Sequence, residues 1–342
     1  MTQEELGVDG LEKDFSMYNY DQEVDLQHGR CGRSTKPGRA HMFSDSTKVG
    51  EDHLLLVYFS RRHCMGSRED LNTFRRTHQI HHAMIAGKRW VFYTGGRGSQ
   101  TVAILPGTGA FSALGAEVMF PVISQLEKQF RVVSFGYPSD VATMRELVEG
   151  IHEVLAEQEV QQAALLGHSL GALITLCSLR TYPQHIPAVM LANFALPSPT
   201  HLRSLNTSLS LIVRLPAWLT ARVVKSQFRR VVKDYPDEFW RSYLTGKEAE
   251  GSFQHMRTHY RCMLDFVQHW HIAQGSFTAW PGRALLLESD QERDVTPQER
   301  AGTAALFVNP SMHVFQHAGH LSFITHSKEF AEAVTRFLEV DV

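Results

Sequence analysis

The pentapeptide Gly167-His168-Ser169-Leu170-Gly171 narrows the possible folds more than any other stretch of this chain. The short apolar run Ala163-Ala164-Leu165-Leu166 precedes it, and a helix-compatible run from Ala172 to about Tyr182 follows. A strand that becomes a helix within so few residues must turn a sharp corner. Glycine on either side removes the Cβ atoms that would collide with neighbouring backbone there. Ser169 is left at the tip with its hydroxyl exposed, the placement of a nucleophilic serine between strand and helix. The same five residues are compatible with a surface Gly-Ser turn; the strand before and the helix after favour the corner.

The rest of the chain alternates in a way that suits such a corner. Ile80 to Tyr93 reads as two short strands around Ala86-Gly87-Lys88. Thr101–Leu105 and Arg131–Phe135 are apolar runs suited to buried parallel strands. A helix is expected from about Gly115 to Phe130. Another is marked by Met144, Leu147, Val148, Ile151, Val154 and Leu155 at helical spacing. Ile186–Leu191 is a further strand. Alternation then stops, and residues 197–280 read as helices throughout. It resumes with a strand at Ala284–Leu287, a helix at Pro297–Leu306, a strand at Met312–Phe315 and a closing helix marked by Phe330, Ala333, Val334, Phe337 and Leu338. The expected fold is α/β, a mostly parallel, doubly wound sheet with a helical cap insertion at 197–280. Residues 1–75 lack sustained periodicity and read as a disordered extension, with the folded domain spanning 76–342. A second reading places the biological start later, at Met65 or Met84.

Ligands in such sheets bind beyond the C-terminal strand ends, where Ser169 sits. A serine needs a base to take its proton. His320, in Gln316-His317-Ala318-Gly319-His320-Leu321 after the last strand, is placed for it, with His317 as competitor. The imidazole needs an acid to hold its tautomer. Glu292 and Asp290, both after Leu287, are the two candidates, and Ser289, Glu292, Val295 and Pro297 give Glu292 the better spacing. Backbone amides of Leu170 and of Thr108, in Leu105-Pro106-Gly107-Thr108-Gly109, are candidates for an oxyanion hole. That loop lacks the spacing of a phosphate cradle. The insert's apolar Leu209, Ile212, Leu215, Trp218 and Val223 suggest a pocket for an apolar acyl or alkyl group, or packing against the core.

These motifs resemble the α/β-hydrolase superfamily over about residues 79–342, through Leu105-Pro106-Gly107, the Ser169 pentapeptide and Ala318-Gly319-His320. Within it, Leu105–Gly109, Phe135-Gly136-Tyr137-Pro138, Leu191-Ala192-Asn193-Phe194, Asp290-Gln291 and Leu215-Pro216-Ala217-Trp218 look somewhat like maspardin and its relatives. The superfamily resemblance implies hydrolysis of an ester, amide or thioester through an acyl-enzyme without a cofactor. The maspardin-like one implies a non-catalytic binding protein, from which this chain departs by keeping His320.

Composition bears on partners. The net charge is −2 with 43% hydrophobic and 20% charged residues, which suits a globular protein with no strong pull toward nucleic acid or anionic membrane. The basic run Arg222, Lys225, Arg229, Arg230 and Lys233 reads as a solvated helix face, because no aromatic stacking pattern accompanies it. The 4 cysteines are scattered, which fits a reducing compartment. No run reaches the ~18 apolar residues of a membrane span, and the acidic start is no targeting segment, so cytoplasmic residence is expected. Among the 19 histidines, His78, His81 and His82 and the pair His255 and His259 are close in sequence, but no metal-binding pattern accompanies them. A small-molecule acyl substrate and no cofactor or metal are expected.

Overall fold

A computed structural model describes residues 66–107, 113–232, 237–246, 255–292 and 295–339. Their strands are β1 (Ile80–Ile85), β2 (Lys88–Gly95), β3 (Thr101–Leu105), β4 (Arg131–Gly136), β5 (Ala164–His168), β6 (Ala188–Ala192), β7 (Arg283–Ser289) and β8 (Ser311–Phe315). They form an 8-stranded sheet in the order β1-β2-β4-β3-β5-β6-β7-β8. β1 and β2 pair antiparallel, as does β2 with β4. Every other neighbouring pair is parallel.

The helices are α1 (Arg68–Thr77), α2 (Ala113–Glu117), α3 (Phe120–Leu126), α4 (Met144–Glu157), α5 (Leu170–Thr181), α6 (Pro199–Ile212), α7 (Ala217–Val232), α8 (Glu238–Thr245), α9 (Met256–His269), α10 (Pro297–Ala304), α11 (Ser322–Thr325) and α12 (Ser327–Glu339). The central strands β3, β5 and β6 are buried at every position because helices cover both faces. Successive residues go to opposite faces. Ala103 and Leu105 join a core with Leu147, Ile151 and Ile174, while Val102 and Ile104 join one with Val122, Phe330 and Val334. Helices α6 to α9 lie between β6 and β7, where alternation was expected to stop.

Three expectations need correction. Residues 1–65 lie outside the described residues, but 66–75 are built into the domain. α1 starts on a capping box between Ser67 and Asp70. It buries Leu71 and Phe74, and Arg75 pairs with Glu117. Two apolar residues in so charged a segment are too few to show as periodicity. The helix expected over 115–130 is two, α2 and α3, with Pro121 in the first turn of the second. Finally, Trp218 is 67% exposed and is not among the residues that line the pocket of Ser169, while Leu209 and Ile212 take the core-packing reading.

Candidate active site

β5 ends at His168, and α5 begins at Leu170. Ser169 between them has φ 53° and ψ −117°, a conformation costly for a residue with a Cβ. Its surroundings hold it there. The Ser169 N–H donates to the Ala192 carbonyl at the end of β6 (3.0 Å), and its own carbonyl accepts from Ala172 N–H (2.9 Å). A Cβ on Gly171 would overlap the Leu105 carbonyl, so glycine lets α5 start directly against β3. Gly107 is also closely packed, though less severely: a Cβ there would lie 3.0 Å from Ser169 Cβ. The loop from β3 therefore passes beside the serine. Thr108, the next residue, lies outside the described residues. Leu170 N–H belongs to the first turn of α5, where backbone donors have no helical acceptor.

His320 stands after β8. Its Nδ1–H donates to Glu292 Oε2 at 2.8 Å, which leaves Nε2 as the basic nitrogen. Glu292 is only 7% exposed, and its Oε1 has no hydrogen-bond partner among the described residues. Burial pushes its carboxyl up, but the charge and hydrogen bond of His320 more than offset this and hold it below the usual range. Asp290 is exposed and turned elsewhere. Its Oδ1 accepts from Ala318 N–H (3.1 Å), and Gln291 N–H donates to the Ala318 carbonyl (3.0 Å). Backbone hydrogen bonds, that of His317 first, lower its carboxyl. Asp290 thus shapes the loop that presents His320, while His317, at φ 58°, lies on its exposed side.

Three neighbours of the site were not visible in the sequence. His168 is buried, and its Nε2–H donates to the His320 carbonyl at 2.8 Å. Burial, and next the nearby His320, push its pKa down to about 3, so it stays neutral. Asn193, with φ 46° at the end of β6, donates to Ser289 Oγ (2.7 Å) and accepts from Ser322 Oγ (2.5 Å). It ties the acid strand to the histidine loop. Arg300 on α10 pairs with Glu288 (2.8 Å) and donates to the Ser289 carbonyl (3.0 Å), bracing the acid loop from behind. The contacts of His168 and Asn193 cross 96 to 152 positions, so although both residues lie in stretches already singled out, their partners could not be read from them.

Ser169, His320 and Glu292 line one pocket of about 740 Å³, its open mouth included. Its apolar wall comes from Leu173 of α5, Leu202 and Leu205 of α6, and Met263, Phe266 and Val267 of α9. A second polar pair also borders it. His201 of α6 lies 3.0 Å (Nδ1) from Glu299 Oε1 of α10. Glu299 also accepts from Ser198 N–H (3.1 Å) and closes a capping box with Thr296. The histidines considered as metal ligands go to separate partners: His78 to Glu127, His81 to Thr94, His82 to Arg89. His259 is buried, and burial pushes it down to about 3. Among the described residues no helix is long and apolar enough to cross a membrane.

A mostly parallel sheet covered by helices, with a serine at a strained strand-to-helix corner that shares a pocket with a histidine–glutamate pair, defines the class of α/β proteins built on a strand–serine–helix corner. Residues 102–333 match the family model of the alpha/beta hydrolase family, more than half of the chain, and the chain belongs to that family. Its coarse class is therefore a hydrolase. No curated protein matches its sequence significantly. Among solved structures it is similar to MGS-M2, an alpha/beta hydrolase enzyme from a Medee basin deep-sea metagenome library. The TM-score is 0.61 at 17% identity, over 77% of this chain and 98% of that one. It is also similar to a thermophilic esterase from Thermogutta terrifontis, with TM-score 0.58 and 16% identity over 76% and 98% of the chains. The enol-lactonase from Burkholderia xenovorans LB400 gives TM-score 0.58 and 16% identity over 75% and 99%. At these identities the likeness is one of fold.

Proposed function

We propose that this chain is a serine hydrolase that cleaves an ester, thioester or amide with an apolar acyl or alkyl group through an acyl-enzyme. The observation that carries the reading is the 2.8 Å bond from His320 Nδ1–H to buried Glu292, in the same pocket as Ser169. Ser169 Oγ attacks the substrate carbonyl as His320 Nε2 takes its proton. Glu292 keeps the imidazole in the useful tautomer and stabilises the imidazolium. The tetrahedral oxyanion is held by the Leu170 and Thr108 amides. Collapse expels the alcohol, thiol or amine, which leaves with the proton from His320. Water then repeats the sequence on the Ser169 ester, releasing the acid and free serine.

The pocket's Leu202, Leu205, Met263 and Phe266 support an apolar acyl chain over a charged one. Helices α6 to α9 act as a cap, and cytoplasmic residence is retained as part of the reading. The test is labelling by a fluorophosphonate, which needs an activated serine, followed by turnover of p-nitrophenyl esters of rising chain length. Wild type should label, and Ser169→Ala and His320→Ala should not. Wild type inert to both reagents would return the chain to a binding role.

A further inference from the structure

The net charge of −2 conceals one strongly uneven region. Helices α6 and α7 contain no Asp or Glu, yet they and the turn joining them carry Arg203, Arg214, Arg222, Lys225, Arg229 and Arg230. On α7, Trp218, Arg222, Lys225 and Arg229 fall at i, i+4, i+7 and i+11, one stripe of the helix. Trp218, Arg222 and Arg229 are exposed and Lys225 half-buried. Thr220 and Val224, on the opposite side, are buried. Arg203, Arg214, Arg222 and Arg229 form no ion pair among the described residues. The Val213–Pro216 turn is flanked by Leu211, 45% exposed, and Trp218, 67% exposed. A large aromatic left in water beside arginines without counter-charges has no account in the packing of the fold.

We propose that the α6–α7 hairpin is a docking surface for an anionic phospholipid membrane, with Trp218 and Leu211 entering the headgroup boundary and the arginine stripe facing lipid phosphate and carboxylate. The two halves of the surface fit that partner together. Tryptophan is favoured at the water–lipid boundary, where one end of the ring is apolar and the N–H is wet. An anionic leaflet attracts basic side chains within about a Debye length, each by roughly fivefold in affinity. A polyphosphate chain would use the arginines but leave the apolar tip unexplained. An apolar protein groove would use the tip but not the charge. The same α6 lines the catalytic pocket through Leu202 and Leu205. Docking thus holds on the surface a helix that also walls the pocket. The inference stands on the exposed face alone and does not require Ser169 to be active.

The full chain should be floated with vesicles of phosphatidylcholine, with and without phosphatidylserine. Binding is expected only to the anionic vesicles, falling as salt rises. Trp218→Ser should weaken it several-fold. The double variant Arg222→Gln/Arg229→Gln should weaken it about 25-fold, from two basic side chains at fivefold each. Both variants change exposed positions and should melt with wild type, so lost binding cannot be ascribed to unfolding. No wild-type binding to anionic vesicles would overturn the proposal. So would binding that the arginine variant loses but Trp218→Ser keeps unchanged, because that is the behaviour of a plain polycation. Hydrolysis of a short soluble ester should be unchanged in both variants, which separates failure here from failure of the proposed chemistry.

Discussion

Glu292 and Asp290 sit two residues apart and do different work. Glu292 is buried and bonded to His320, whereas Asp290 is exposed and bonded to backbone. If Glu292 orients the base, Glu292→Gln favours the wrong imidazole tautomer. In a well-studied serine protease such a change costs about 10⁴ in kcat, so a fall of at least about 10² is expected here. Asp290→Asn keeps a side-chain oxygen for Ala318 N–H and should change the rate only a few-fold. Steady-state kinetics of the two variants beside Ser169→Ala decide it, and equal losses would show that the acid assignment fails. The spacing of Ser289, Glu292, Val295 and Pro297 already leaned toward Glu292. What it could not reveal was the solvation difference that separates the two carboxylates. His168 was likewise hidden. Its ring supports the His320 carbonyl from 152 positions away, and a motif position conveys nothing of such a partner.

Elements were legible where they were long or wholly buried. α4 announced itself by its spacing, and β3 and β5 by unbroken apolar runs. α1 was missed because it buries only Leu71 and Phe74 among charges. The placement of β4 between β2 and β3 is a matter of crossover that no local pattern carries. Of the two readings open for the insert's apolar residues, core packing holds for Leu209 and Ile212, and it is Leu202 and Leu205 of α6 that line the pocket. Leu202 is half-buried, so a larger residue there is tolerable to the fold. Leu202→Trp should therefore shift preference toward shorter p-nitrophenyl esters, while Trp218→Ala should leave the chain-length profile as it is. An unchanged profile in Leu202→Trp would remove α6 from the acyl site. The start of α6 is held by Glu299 through Ser198 N–H and His201. Burial pushes the Glu299 carboxyl up, but these hydrogen bonds, His201 first, bring it below the usual range. Glu299→Gln removes the charge from that clamp and should cost about 1–3 kcal/mol. Amide exchange at 198–202 should quicken while that of α5 stays slow. Equal quickening in α5 would make Glu299 a core residue of the whole domain, not a clamp on one helix.

At the scale of the molecule, acid is the condition to which this fold is most exposed. Three histidines are held neutral. Burial pushes His168 and His259 down to about 3, and burial with help from His185 pushes His152 to about 4, each from an ordinary 6.5. The sign follows from which state binds protons. Above pH 6.5 neither state is protonated at these rings, and they make stability independent of pH. Below it the unfolded chain takes up to three protons that the fold refuses, so stability falls with pH. The loss continues until the folded pKa values, about 4 and about 3, are reached. Each proton corresponds to ~1.4 kcal/mol per pH unit, so the three set an upper slope of roughly 4 kcal/mol per unit between about pH 6 and 4. The lowered carboxylates of Glu292 and Glu299 act in the same direction nearer their own range, adding stability above the ordinary carboxyl pKa that is lost as pH falls through the depressed one. Urea midpoints at pH 7.5, 6.5, 5.5 and 5.0 measure the slope. His152 lies outside the pocket of Ser169 and His320, beside Tyr182 and His185, so it can be replaced without touching that pocket. His152→Gln should flatten the dependence by about one proton, ~1.4 kcal/mol per unit, and leave stability above pH 6.5 with no new pH dependence. A wild type as stable at pH 5.0 as at 7.5 would mean that these rings are protonated in the fold, and the neutral His168 behind His320 would have to be given up with them.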